Sequence, residues 1–549
     1  MEWASPPTGI KLEGERLFLM KIEDFFKEDP LLCSIKKEEL LELPFPFEDP
    51  KEIPGIRSLE EGKWREFEVS LDGVMAIGIS KPKTEKEKRE FINRFLSGLR
   101  KLLSEDDNWT FFRPLFHSLE YCQRCQLCSE ACPIYLASGR KEIYRPTFRG
   151  EILRRIIEKY LKGKGFFSKF KPNDFELTFS AVARLGELSY RCTLCRKCAQ
   201  VCPLGVDNAL IAREIRKLFS QELGIAPKEL HELGTMKHLK IGSPTGITPQ
   251  ALKDLVRFIE EDIEERTGER VKIPMDKEGA EVLFLHNTGE FLSFPENLEA
   301  FAIIFHRSRI DWTLSSELMG YDAVNYGLWY DDVQLMRIAL KQVEIAKTLK
   351  VKRIVLGECG HAHKALLGVA DRILLKELNI PRESALILIE KILREGKIRL
   401  DPRRNDFPVT LHDPCGIVRQ MGIVEVPRRI LRRICPNFRE MNPCGVENYC
   451  CGGGSGFAVI RSANFPDWRN LIAGRMKLKQ IVEVFQDVIS PDINKYVCAP
   501  CSNCKAQIRD LFSFYKVWEK CRIFYGGLAE LVVNAMADLK RPFIEWEWR

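Results

Sequence analysis

Cysteine occupies 19 of the 549 positions of this chain, and eight of those cysteines fall into two copies of one spacing. CQRCQLCSEACP spans 122–133 and CTLCRKCAQVCP spans 192–203, each reading C-x2-C-x2-C-x3-C-P. Three thiolates at that step can each bind a different iron of a compact 4Fe-4S cube, and the fourth, just ahead of proline, ordinarily reaches to the cube of the other motif. The expected sets are Cys122, Cys125, Cys128 with Cys202, and Cys192, Cys195, Cys198 with Cys132. Two 4Fe-4S cubanes held in this way would pass electrons singly. Zinc competes poorly, because a zinc site closes with four ligands and leaves the third cysteine at this step and the C-x3-C-P ending unexplained. A disulfide scaffold is also a poor reading, since 19 cysteines in 549 residues are too dilute for a small secreted framework.

A second group of thiols lies towards the C-terminus: HDPCG with Cys415, YCCGGGSG with Cys450 and Cys451, and CAPCSNCK with Cys498, Cys501 and Cys504. Adjacent cysteines fit an ordinary tetrahedral loop badly, but the glycines that follow let backbone wrap closely round a bulky inorganic cluster. Upstream, GECGHAHK carries Cys359, His361 and His363. The two histidines read either as surface or helix-start residues or as proton donors to a leaving thiolate. Cys33, Cys435 and Cys521 read as small buried hydrophobes, and Cys444, six residues before the pair, is harder to set aside. Arg428, Arg429, Arg432 and Arg433 form either a solvated helix face or a seat for an acidic partner arm. No P-loop occurs and no G-x-G-x-x-G follows a strand, so neither nucleotide nor flavin is expected on this chain.

Several elements must position these thiols. Residues 1–104 mix charge with proline and read as an N-terminal extension for partner docking; 105–237 read as a helical domain holding both spaced motifs. A polar stretch with Gly and Pro (HLKIGSPTGITPQ) marks 238–279 as a linker. From 280 short apolar runs alternate with helical patterns in two rounds, 280–400 and 401–549. EVLFLH, a helix around 332–350 and RIVLGECG make the first round; FPVTLHDPCG, PRRILRRIC, a helix near 470–486, KYVCAP and a last helix from 527 make the second. That order predicts a duplicated α/β unit behind a helical di-cluster domain. A hydrophobic share of 45% and a charged share of 30% suit several globular domains with proper cores. A net charge of +7 is too mild for a nucleic-acid binder. With no long apolar run and no signal-peptide order, the chain is expected to lie in the cytoplasm.

The second round resembles the CCG-domain proteins, among them the B-type and D-type components of heterodisulfide reductases and the iron-sulfur subunits of glycolate and lactate oxidases. Their pattern, C-x(n)-C-C-G-x(n)-C-x-x-C, falls on Cys415, Cys450, Cys451, Gly452, Cys501 and Cys504, and CKAQI favours the 501/504 register over 498/501. The first round resembles the same module without its ligands: LHNTGEF (285–291) stands at the first cysteine, LMGY (318–321) at CCG, and Cys359 alone survives near the closing position. The resemblance implies one further 4Fe-4S-type cluster, cubane or noncubane, with Cys359, His361 and His363 facing it. The domain order is similar to the D-type heterodisulfide reductases and to the matching subunit of sulfite-reductase-linked membrane complexes. It implies a subunit bound peripherally to a haem-containing, quinone-oxidising integral membrane subunit and its companions. Electrons from menaquinol would cleave a disulfide or trisulfide of a small sulfur carrier of the DsrC type. The alternative is an electron relay for a flavin-dependent glycolate or lactate dehydrogenase.

Overall fold

Two parallel sheets with the same strand order organise the C-terminal half of the chain. In this computed structural model residues 22–28, 31–59, 63–161, 175–320, 325–370, 374, 376–378 and 380–547 are described. The first sheet holds β1 (Val282–Leu285), β2 (Trp312–Thr313), β3 (Arg353–Leu356) and β4 (Arg382–Ser384) in the order β2-β1-β3-β4. The second holds β5 (Val409–Leu411), β6 (Phe438–Arg439), β7 (Lys495–Cys498) and β8 (Ile523–Gly526) in the order β6-β5-β7-β8. Every pairing is parallel, which requires helical crossovers and buries both faces. β1 and β7 are accordingly buried at every residue. In such sheets the order reverses between the first and third strands, and the loops leaving those strands open onto one crevice. Those loops are His286–Thr288 and Gly357–Gly360 in the first unit, His412–Cys415 and Ala499–Cys501 in the second. Cys359, Cys415 and Cys501 sit on them, and the CCG segment follows β6.

The di-cluster segment is helical and sits ahead of the sheets. Helices Pro146–Tyr160, Phe179–Ser189 and Asn208–Leu218 pack their apolar stripes together; the first cysteine run lies between the helix Phe112–Glu120 and Pro146, and the second between Phe179–Ser189 and Asn208–Leu218. Residues 31–81, read above as part of a partner-docking extension, lie along the chain itself. Buried Glu187 accepts hydrogen bonds from the backbone N–H groups of Ala76, Ile77 and Gly78, and Arg191 forks onto the Asp72 carboxylate at 2.6 and 2.8 Å. Arg57 reaches Asp467 in the second α/β unit at 2.8 Å. One hydrophobic core therefore runs from Phe25 through Phe148 and Leu185 to Phe457 and Leu511.

The expected linker 238–279 contains a helix, Pro249–Thr267. Thr248 caps its start by accepting from the Ala251 N–H, Gly268 ends it in the left-handed region, and Leu252, Val256, Ile259 and Ile263 form its buried stripe. That spacing of four apolar residues is one helix face, which packs on the first sheet's core. The expected helices around 332–350 and 427–435 appear as Asp332–Thr348 and Glu425–Ile434. The four arginines of the latter face are all engaged within the chain: Arg428 with Asp413, Arg429 with Glu390, Arg432 with Glu440, and Arg433 with the Leu393 carbonyl. No helix among the described residues is long and apolar enough to cross a membrane.

Candidate metal centres

Each spaced motif curls the same way. In the first, Arg124 and Gln126 take left-handed backbone (φ 57° and 66°); in the second, Leu194 and Arg196 do the same (φ 53° and 60°). Non-glycine residues adopt this region rarely, and two per motif at matching positions turn the thiols of a run towards one point. Burial pushes Cys128 up to about 12, helped by the charges of Cys122, Cys132, Cys125 and Cys202. Burial likewise pushes Cys132 up to about 12, and there the added charges are those of Cys195 and Cys192. Cys198 is raised by burial, by Asp207 and by Cys192, Cys195 and Cys132. Each last cysteine thus lies beside the thiols of the other run, the neighbours that the crossed sets call for. Four converging thiols suit the thiolate donor set of a 4Fe-4S cluster; Cys195 and Cys198 of the second run are buried, while Cys125 of the first is exposed.

The CCG segment builds a third collection of sulfur. The helix Cys415–Met421 brings Cys415 to the crevice at its first residue, and Ser502–Tyr515 brings Cys504 in on its first turn with Cys501 at its cap. Cys451 Sγ stands 3.4 Å from Cys504 Sγ. Cys450 is hydrogen-bonded to Cys195, Cys415 and Cys451, and Cys501 to Cys359 and Cys504. Five predicted cysteines and Cys359 of the first unit therefore form one connected group, together with Cys195 of the second spaced motif. Hydrogen bonds from Cys450 and Cys504 hold Cys451 well below the usual thiol range against its burial. Those from Cys359 and Cys504 do the same for Cys501. Cys498 lies on β7, raised by burial and by Glu358, Cys435 and Glu530, away from this group. Cys444 is exposed, and Cys33, Cys435 and Cys521 are buried apart from it.

Glycines make this packing possible. Gly452 has φ +93°, and a Cβ there would lie 2.5 Å from the Gly474 nitrogen. At Gly454 a Cβ would meet the Thr193 carbonyl oxygen at 2.8 Å, so the CCG loop rests directly on the second spaced motif. Arg419 clamps the two, donating to the Cys195 carbonyl at 3.0 Å and the Val446 carbonyl at 2.7 Å.

The two histidines of GECGHAHK part company. His361 Nε2 accepts from the Ser455 N–H at 3.3 Å, its ring stands edge-on to Trp329, and the Cys501 and Cys451 charges act on it. His363 is occupied elsewhere, between the Cys359 carbonyl and the Ser384 hydroxyl, each at 2.7 Å. Sequence pattern alone did not single out His412 of HDPCG. Its ring lies within 4.8 Å of the Cys451 and Cys504 thiols, and the Cys451 charge acts on it. Its position two residues before the Pro-Cys of the motif, at the end of a strand, was the available signal. Two buried lysines also escaped notice. Burial lowers Lys477 to about 7 and Lys364 to about 8, with the thiols of Cys451 and Cys415 among the charges that act on them. Cations there would offset the negative charge of a thiolate-bound cluster.

Two family models match along the chain, a 4Fe-4S dicluster domain over residues 118–206 and a cysteine-rich CCG domain over 409–509. Along the chain a segment that matches a 4Fe-4S dicluster domain thus precedes one that matches a CCG domain. Among known proteins it is similar to Hdr-like menaquinol oxidoreductase iron-sulfur subunit 2 of Archaeoglobus fulgidus, 22% identical over 80% of this chain and 83% of the relative. The Hdr-like menaquinol oxidoreductase iron-sulfur subunit of Archaeoglobus profundus is 25% identical over 76% of this chain and 79% of its own length. The D-type component of the dihydromethanophenazine:CoB–CoM heterodisulfide reductase of Methanosarcina acetivorans is 27% identical over 71% of this chain and 88% of its own length.

Proposed function

We propose that this chain is the iron-sulfur catalytic subunit of a membrane-associated respiratory complex. Electrons from menaquinol, oxidised at a haem-bearing membrane subunit, enter the two cubane sets and leave through the CCG group to a sulfur–sulfur bond. The disulfide or trisulfide of a small DsrC-like sulfur carrier, in sulfate or sulfite respiration, is the substrate that suits this arrangement. The observation that carries the reading is the Cys195–Cys450 contact. It gives a one-electron relay set a short path to the CCG thiols, along which the two electrons that S–S cleavage takes can pass in succession.

The residues fit the groups this reading needs. Cys122, Cys125, Cys128 and Cys202 would hold one cubane, and Cys192, Cys195, Cys198 and Cys132 the other. Cys415, Cys450, Cys451, Cys501 and Cys504 would hold the third cluster, with Cys359 beside it. When bound, that third cluster supplies the electrons for S–S cleavage. Around it, Lys477 and Lys364 balance charge, His361 holds the loop at Ser455, His412 stands beside Cys451 and Cys504, and burial excludes water.

The test is electron paramagnetic resonance of anaerobically purified protein during stepwise oxidation. Oxidised 4Fe-4S cubanes are silent, so a signal that grows on oxidation and vanishes in Cys451→Ala supports the catalytic reading. Signals confined to the reduced state would replace it with an electron relay for a flavin-dependent dehydrogenase.

A further inference from the structure

The two α/β units superimpose in their chemistry as well as in their strand order. β1 and β5 both end in Leu-His, His286 in one and His412 in the other. After β3 the Cys359 N–H donates to the Gly357 carbonyl at 2.8 Å, and after β7 the Cys501 N–H donates to the Ala499 carbonyl at 2.7 Å. His363 N–H then donates to the Cys359 carbonyl as Lys505 N–H does to that of Cys501, at 3.1 and 2.9 Å. Cys359 therefore corresponds to Cys501, Ala362 to Cys504, and the helix start at Thr288 to the helix start at Cys415. Each unit also reaches across to the other: Gly360 N–H donates to Cys501 Sγ at 3.3 Å, and Ser502 N–H donates to the Glu358 carbonyl at 2.9 Å.

The thiol group of the second unit is enclosed by the helix start at Cys415, the CCG loop, Cys501 and Cys504, and the Gly360–His361 corner of the first unit. Its counterpart would be enclosed by the helix start at Thr288, the segment around Trp329, Cys359 and Ala362, and the Ser502–Asn503 corner of the second unit. A cavity of about 330 Å³ lies there, lined by Thr288, Glu290, Trp329, Ser502 and Asn503. One side chain, Asn287, separates it from the thiol group: Asn287 lines the cavity and its Nδ2 stands 3.7 Å from Cys359 Sγ.

The chemistry of its wall is uneven. At depth Glu290 meets Lys505 at 2.6 Å, both side chains fully buried. Ser502 Oγ is buried without a hydrogen-bond partner among the described residues, a donor and acceptor that only a guest could satisfy. Phe294, Ala458 and Ala506 supply an apolar side. At the rim stand Arg461 and Arg509. Both lie on Asp510, at 2.9 and 3.6 Å, and Arg469 is paired with the same carboxylate. Three guanidinium groups on one carboxylate leave positive charge over at the mouth.

We propose that this cavity, the counterpart of the cluster site, binds the organic body of a carboxylate-bearing disulfide, its carboxylate on Arg461 and Arg509 and its sulfur directed past Asn287 to Cys359. The assignment rests on the S–S-cleaving reading above. A pocket of this volume with an apolar wall and a few converging polar groups suits a small ligand or the end of a peptide.

The test separates binding from turnover. Binding of 3,3′-dithiodipropionate and of neutral 2-hydroxyethyl disulfide to the oxidised holoprotein is measured by calorimetry under anaerobic conditions. Dithiodipropionate should saturate one site, and the Arg461→Gln/Arg509→Gln double variant should weaken it about tenfold, ~1.4 kcal/mol, leaving the neutral disulfide about as before. Ala506→Phe, which fills the cavity, should weaken both while iron content and the resonance spectra stay unchanged. Absence of saturable binding to the wild type, or unchanged affinity in the arginine variant, overturns the assignment. Turnover is scored separately with reduced viologen as donor: RSSR + 2 e⁻ + 2 H⁺ gives two RSH. Binding that responds to the variants without any thiol release would overturn the catalytic reading and support the site.

Discussion

The two α/β units share a strand order and differ in what stands on equivalent loops. The second presents thiols at the helix start, in the CCG loop and at both closing positions. The first presents Thr288 at the helix start, Ala362 at one closing position and a single thiol, Cys359, at the other. The fold alone therefore does not make a cluster site; a complete set of donors on three separate segments does. What the first unit keeps is the part that serves its neighbour. Cys359 is hydrogen-bonded to Cys501, His361 receives the Ser455 N–H, and a Cβ on Gly416 would lie 2.0 Å from the Gly360 carbonyl oxygen. It has become a wall of the second unit's site.

The strongest way to break that comparison is to remove one donor from the complete set. Cys451→Ser should lower iron from about twelve to about eight atoms per chain, since each 4Fe-4S cluster carries four. Colorimetric iron analysis of anaerobic protein measures it. Cys359→Ser, which alters the wall rather than the set, should leave the count at about twelve. Equal losses in the two variants would make Cys359 a ligand and erase the distinction between the units.

Contact with the relay is the second difference. Among the described residues, only the second unit lays a glycine loop on the spaced motifs, at Gly454 over Thr193. Gly454→Ala forces the loop away from Cys195 by a few tenths of an ångström or more. Small displacements at a junction of this kind commonly cost tenfold or more in rate. Stopped-flow reduction should show the cubane signals appearing at the wild-type rate and the CCG-linked signal about tenfold later. Simultaneous appearance would mean that electrons do not cross at this contact.

Much of the site was legible because metal ligation leaves a spacing in the sequence. The crossed sets and the 501/504 register are expectations from spacing; Cys451 Sγ stands 3.4 Å from Cys504 Sγ, while Cys498 lies on β7. Strand order was less legible: β2 and β6 are two residues each, too short for any alternation to show. The 249–267 helix was hidden by the Ser, Thr, Gly and Pro residues before it, which cap a helix as readily as they form a linker. Contacts between distant segments left no trace in pattern at all. Neither Cys359 against Cys501 nor Cys195 against Cys450 could be read from spacing, and the apolar and charged residues of 31–81 look the same whether their partner is another chain or this one.

A smaller effect separates the paired histidines. Burial lowers both His286 and His412, His286 to about 3 with Lys505 adding to the shift. His286 has no hydrogen-bond partner on either ring nitrogen among the described residues. A histidine kept neutral in the fold is protonated first in the unfolded chain. Its stabilising effect is therefore complete above the unfolded value near 6.5 and is lost as pH falls towards 3, at about 1.4 kcal/mol per pH unit. His286→Phe, among Phe284 and Phe291, should flatten the fall in anaerobic thermal stability between pH 6.5 and pH 5. His412→Phe should instead perturb the CCG-linked resonance signal, because its ring lies within 4.8 Å of the Cys451 and Cys504 thiols. A shift of that signal in the His286 variant would show that the first unit's histidine also serves the cluster.

The smallest expected effect comes from adding a donor to the incomplete unit. Ala362 is buried, its N–H donates to Cys359 Sγ at 3.4 Å, and it occupies the place that Cys504 has in the second unit. Ala362→Cys therefore creates a closing pair, Cys359 with a neighbour, at a modest packing cost of about 1 kcal/mol. Two thiols cannot hold a cube of four irons. The helix start opposite carries Thr288, and Leu318–Gly320, from the segment expected at the CCG position, form a short turn without cysteine; Tyr321 lies outside the described residues. Iron should stay at about twelve atoms per chain, and dithiodipropionate binding should be retained, because the added thiol does not fill the cavity beyond Asn287. A rise towards sixteen would mean that the first unit still assembles a cluster from fewer protein ligands. The cavity would then be a metal site, and its assignment to an organic disulfide would fall with it.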